Sequence, residues 1–213
     1  MRAMTNWAKV EREALCDLFV EVGPDVPTLC GDWTTRDLAA HLIVRERRPD
    51  AAAGILFKPL ASRTEKVQRE IASKPWAELV ASVRKGPPIF SPTAFAPVDR
   101  LVNTVEFFVH HEDVRRAQDG WEPRALEPGL EGELWTALSR MGRMLARQVD
   151  VGVTLARPDG RSATLRKGTP TVMVIGPPSE LLLFCYGRQA HSRVELAGPT
   201  PAIESLRTAR LGI

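Results

Sequence analysis

The sequence predicts a mainly α chain, a helical bundle over residues 1–150 followed by a small α+β domain over residues 151–213. Three observations lead there. Apolar residues recur at spacings of three and four through most of the first 150 positions, as in helices that bury one face. Past Asp150 the period drops to two, with Val151, Val153 and Leu155 alternating with small or polar residues. The composition, 44% hydrophobic and 26% charged over 213 residues, can bury a sizeable core and is too apolar for extended disorder.

Each element has its own signal. Trp7, Val10, Ala14, Leu18 and Val22 define a first amphipathic helix, stopped by Gly23-Pro24. Thr34-Thr35-Arg36-Asp37 opens a second, with Thr34 as cap and Asp37 returning the bond, and this helix ends before Pro49. A loop is expected through Gly54 and Pro59, then weaker helices over 62–72 and 75–85, and a break at Gly86-Pro87-Pro88. The proline-rich run to Pro97 reads as a connection. Helical spacing resumes over 97–117 and 127–149, so four main helices form a bundle. Pro158-Asp159-Gly160 then joins two extended runs as a hairpin. A third strand at 171–175, a helix over 179–187, a strand at 193–196 and a helix from Thr200 complete the α+β domain.

Charge and composition exclude several classes of function. The 29 cations are interspersed with 26 anions for a net charge of +3, which gives no continuous basic surface for a nucleic acid. Glu11, Glu13 and Asp17 interrupt the N-terminal apolar residues, unlike a signal peptide. The apolar runs, such as Leu181–Tyr186, are too short to span a membrane. Cys16, Cys30 and Cys185 are odd in number and lack a C-x-x-C pair, which fits a reducing compartment. A cytoplasmic protein is therefore expected, with the three cysteines as small core or partly exposed side chains. The oligomeric state is left open, a homodimer included.

Chemistry concentrates in VNTVEFFVHHEDVRRA. Glu106 and His110, four residues apart, share one helical face, with Asp113 beside them in a stripe flanked by Val102, Val109 and Val114. Polar groups on a buried face need partners. One imidazole and one carboxylate suit a divalent cation if a further ligand comes from elsewhere; a helix-face ion pair or a hydrogen-bonded core histidine satisfies the same spacing. Of the four histidines, His111 points away from Glu106 and His191 lies in the α+β region, which leaves His41, mid-helix among apolar residues. Two histidines and one carboxylate leave a coordination position open, as catalytic zinc sites do.

The segments LCGDWTTRDLAAHL and EFFVHHEDVRRA together resemble the mycothiol-dependent maleylpyruvate isomerase family. The resemblance implies a DinB-like metal-binding four-helix bundle over 1–150 with its metal, zinc by expectation, on His41, Glu106 and His110. The C-terminal ARPDGRSATL and SELLLFCYGR are similar to the small sterol-carrier-like α+β domain of the same family. Arg188 falls where that family places a substrate-binding arginine, although a cation at a helix C-terminus is favoured in any case. Asp37 and Asp113 are candidates to orient the liganding imidazoles, with a helix cap and an ion pair to Arg116 or Arg36 as their alternatives. Arg45 and Arg48 could face a carboxylate substrate or belong to a solvated basic face. The activity implied is a mycothiol-dependent isomerase or thiol S-transferase acting on a small unsaturated or electrophilic acid. A non-catalytic metal sensor or regulatory module on the same fold is the alternative.

Overall fold

The computed structural model describes residues 5–56, 58–87 and 97–212. They divide into two compact units, Met1–Glu122 and Pro123–Ile213. The first contains α1 (Trp7–Val22), α2 (Thr35–Arg47), α3 (Pro49–Leu56), α4 (Ala61–Ala72), α5 (Trp76–Lys85) and α6 (Pro97–Arg115). Asn6 caps α1 by accepting from the backbone of Lys9, and Gly23, at φ 81°, ends it. Thr34 and Asp37 form the expected capping box at the start of α2. The proline-rich connection 88–96 lies outside the described residues.

The loop expected after Pro49 is instead helix α3. Pro49 stands at its first position, where the missing N–H costs nothing, and three alanines follow. Gly54, read from sequence as a loop signal, marks a close approach: a Cβ there would meet Thr64 Oγ1 at 2.1 Å. Helix α2 lies at the centre of the unit, packed on α3, α4 and α5, while α1 packs on α5 and α6. Leu15, Phe19, Leu38, Leu42, Leu79 and Phe107 are wholly buried between them. Charged and polar side chains are buried with this core. Arg12 of α1 clasps Glu46 of α2 and lies 4.0 Å over the ring of Phe107, and His111 of α6 meets Glu11 of α1 at 3.0 Å.

The second unit contains α7 (Pro128–Leu145), β1 (Gly152–Ala156), β2 (Ser162–Arg166), β3 (Thr171–Ile175), α8 (Pro178–Cys185), β4 (Glu195–Ala197) and α9 (Thr200–Thr208). Its sheet has the order β2-β1-β3-β4, antiparallel at β1/β2 and β3/β4 and parallel at β1/β3. The hairpin turn falls as expected, with Gly160 at φ 86°. The two compact units meet at Glu122/Pro123, and α7 packs on α8 and β2. Gly142 lets Leu165 of β2 press against α7, and the Glu131 carboxylate accepts from the backbone N–H and hydroxyl of Ser179 at 2.9 and 2.8 Å, tying α7 to the start of α8. The change of period at Asp150 marks where strands begin, and the helix before it belongs with them. Among the described residues no helix is long and apolar enough to cross a membrane.

Candidate metal centre

Helices α2 and α6 bring together the three residues singled out from the sequence. His41 is buried mid-way along α2, and Glu106 and His110 project from successive turns of α6. Glu106 Oε1 lies 3.5 Å from His41 Nε2 and 3.3 Å from His110 Nε2. All three donor atoms fall within 4.8 Å of one another. Tetrahedral zinc with bonds of about 2.1 Å separates nitrogen and oxygen ligands by about 3.4 Å, which is the spacing that each imidazole keeps from Glu106. The imidazoles meet edge to face with centroids 5.5 Å apart, and Trp33 covers His41 at 5.1 Å. The Glu106 side chain retains 23% exposure, which leaves the cluster an approach from solvent.

A second layer of polar groups holds this arrangement. Asp113 Oδ2, wholly buried, accepts from His110 Nδ1–H at 3.0 Å and from the Cys30 thiol at 3.0 Å. Arg45 lies 3.3 Å from Glu106 Oε1 through Nε and donates to Asn103 Oδ1 at 2.7 Å through Nη1. Burial lowers the pKa of His41 and keeps the ring neutral, with its hydrogen bond to Glu106 opposing only in part. For Glu106 burial works upward, but bonds from His110 and His41 and the charge of Arg45 hold the carboxyl well below its usual range. Burial also disfavours the charged form of His110, and bonds to Asp113, Cys30 and Glu106 overcome it, raising that imidazole well above its ordinary value.

The remaining residues singled out from sequence have simpler surroundings. The carboxylate of Asp37 accepts from the backbone N–H and hydroxyl of Thr34, so among the described residues it serves the cap of α2 and meets no imidazole. Arg48 pairs with Asp50 at 2.9 Å, away from the cluster. Arg188 follows α8 in the second unit and donates to the carbonyl of Tyr186. Three contributors were not singled out from the sequence. Cys30 and Trp33 sit in the loop before α2, where no period applies and the signal was their position just ahead of the capped helix that carries His41. Asn103 is one turn before Glu106 on α6, and that helical spacing was its signal.

No known family's sequence profile and no curated protein matches the chain. Two solved structures match it over 92% of this chain and 92% of theirs: the mycothiol-dependent maleylpyruvate isomerase, at TM-score 0.56 and 14% identity, and a histidine-to-alanine mutant of that enzyme, at 0.54 and 14%. The chain has the fold of the mycothiol-dependent maleylpyruvate isomerase. The likeness read in LCGDWTTRDLAAHL and EFFVHHEDVRRA thus extends to the architecture of both units.

Proposed function

We propose that this chain is a metal-dependent thiol enzyme. In this reading His41 Nε2, Glu106 and His110 Nε2 hold a divalent cation, zinc first among the options, and mycothiol is the co-substrate. The substrate is a small unsaturated or electrophilic acid, isomerised cis to trans or conjugated to the thiol. The observation that carries the reading is the convergence of two imidazoles and a carboxylate at metal-ligand spacing from α2 and α6. It occurs in a chain with the fold of an enzyme that uses mycothiol. When bound, the cation supplies a Lewis acid that keeps a thiol ionised near neutral pH, so that its sulfur can add to an activated double bond and later leave it.

The chain's own residues divide the remaining work. Asp113 accepts a hydrogen bond from His110 Nδ1–H and so makes Nε2 the nitrogen that gives up its proton to a bound ion. Arg45 restrains Glu106 and Asn103 on one side, and its remaining N–H groups face a substrate carboxylate. Trp33 excludes water from one face of His41.

The test is metal content of untagged protein by elemental analysis, wild type beside His41→Ala and His110→Ala, followed by titration of the loaded protein with mycothiol. A loss of at least about one zinc equivalent per chain in each variant relative to wild type, with saturable thiol binding to wild type, is the expected result and opens a screen of unsaturated acids and electrophiles. Metal without thiol binding would move the function to a non-catalytic metal-binding module. No metal, even after reloading with zinc, would overturn the reading.

A further inference from the structure

His110 has two ring nitrogens, and only Nε2 faces Glu106 and His41. On the other edge of the ring, Nδ1 lies 3.0 Å from Asp113 Oδ2 and 3.7 Å from Cys30 Sγ, and Sγ lies 3.0 Å from the same carboxylate oxygen. A tetrahedral ion bound to sulfur at about 2.3 Å and to nitrogen and oxygen at about 2.1 Å separates these donors by about 3.4 to 3.6 Å. The Nδ1–Sγ distance already agrees, and the other two need to open by only about half an ångström. The loop that carries Cys30 is fastened at this point. Leu29 N–H donates to the Asp113 carbonyl at 3.0 Å, Cys30 N–H to Thr28 Oγ1 at 3.1 Å, and Thr28 Oγ1 to the Trp33 carbonyl at 2.9 Å. Cys30 is partly exposed, which gives an ion a way in, whereas Asp113 is fully buried.

We propose that Cys30 Sγ, His110 Nδ1 and Asp113 Oδ2 form a second ligand set, for a thiophilic divalent cation of the zinc and cadmium class, back to back with the first set across the His110 ring. Binding exchanges two protons, from the thiol and from Nδ1, for bonds from sulfur and nitrogen to the ion; both protons go to solvent and nothing is oxidised or reduced. The thiolate selects soft ions over magnesium or calcium, which favour all-oxygen sites. With both sets filled, the imidazolate of His110 bridges two ions. The second set does not depend on occupancy of the first.

The experiment is a titration of metal-free protein with cadmium in thiol-free buffer. Stoichiometry is read by equilibrium dialysis, and the thiolate-to-cadmium charge-transfer band by ultraviolet absorbance. Wild type is expected to show the band, Cys30→Ser to lose it together with one equivalent of cadmium, and His41→Ala to keep it. No band in wild type, or an undiminished band in Cys30→Ser, overturns the proposal; the latter would trace the sulfur to Cys16 or Cys185. Protein alkylated at Cys30 replaces Cys30→Ser should that variant not fold. Loss of an equivalent in His41→Ala reads the first set separately, so failure of either site is distinguished from failure of the other.

Discussion

The Nδ1–H of His110 donates to Asp113 across 3.0 Å, one turn further along α6, and leaves Nε2 as the nitrogen turned toward Glu106 at 3.3 Å. Carboxylates that orient a liganding imidazole in this way contribute about 10- to 100-fold to metal affinity. Asp113→Ala is therefore expected to weaken zinc binding by that factor, with Asp113→Asn milder because its amide oxygen can still accept. Competition against a chelator measures both. Equal affinity in Asp113→Ala and wild type would remove Asp113 from the metal centre.

The same bonds make metal uptake a proton exchange. His110 without metal is held above the ordinary imidazole range, so near neutral pH the ring is protonated on both nitrogens, and a cation at Nε2 must displace one proton. His41, held below that range by burial, is already neutral and gives up none. Affinity is thus expected to rise with pH until the raised pKa of His110 is passed, and then to level off. Calorimetry in two buffers of different ionisation enthalpy should count about one proton released per ion. A pH-independent affinity through the neutral range would contradict this assignment of charge.

How far this site could be read from sequence follows from the period of its helices. Glu106, His110 and Asp113 share a face of α6 because residues three and four apart must, and His41 was left once His111 and His191 were set aside. In the structure His111 does point elsewhere, toward Glu11. Cys30 carried no such signal, since a loop has no period and its approach to Asp113 depends on how residues 27–34 fold back onto α6. Asp37 was ambiguous for a related reason, because a first-turn carboxylate can serve its own cap or a neighbour, and here the cap takes it. The place of α7 was illegible for a different reason. Its pattern shows that it buries Leu130, Leu134 and Leu138, and a helical wheel does not say whether helices or strands cover them.

Burial sorts the three cysteines by reactivity. It raises the thiols of Cys16 and Cys185 to about 12, so both stay protonated and inaccessible in the folded protein. Cys30 alone is partly exposed. Iodoacetamide at mildly alkaline pH is expected to label Cys30 and spare the other two, with all three labelled in denaturant, as peptide mass spectrometry would show. Zinc bound beforehand should slow labelling if the second ligand set fills. Rapid native labelling of Cys16 or Cys185 would mean that the cores around them open readily.

A large single-site effect on stability is expected at the Arg12–Glu46 pair. Both side chains are almost fully buried, at 10% and 2% exposure, and Arg12 also donates to the Val83 carbonyl at 2.8 Å, joining α1, α2 and α5. Removing one partner leaves the other charge in a poorly solvated site, and such losses cost about 3–5 kcal/mol. Arg12→Ala should show that cost in urea unfolding. The double variant Arg12→Leu/Glu46→Leu should recover much of it, because it leaves no unpaired charge behind. Arg84, which meets Glu13 and Asp17 at the surface with 36% exposure, provides the contrast. Its replacement by alanine is expected to cost no more than about 1 kcal/mol, since water and salt screen exposed pairs. Similar losses at Arg12 and Arg84 would mean that the buried pair is solvated by local opening, and that α1, α2 and α5 are joined by apolar packing alone.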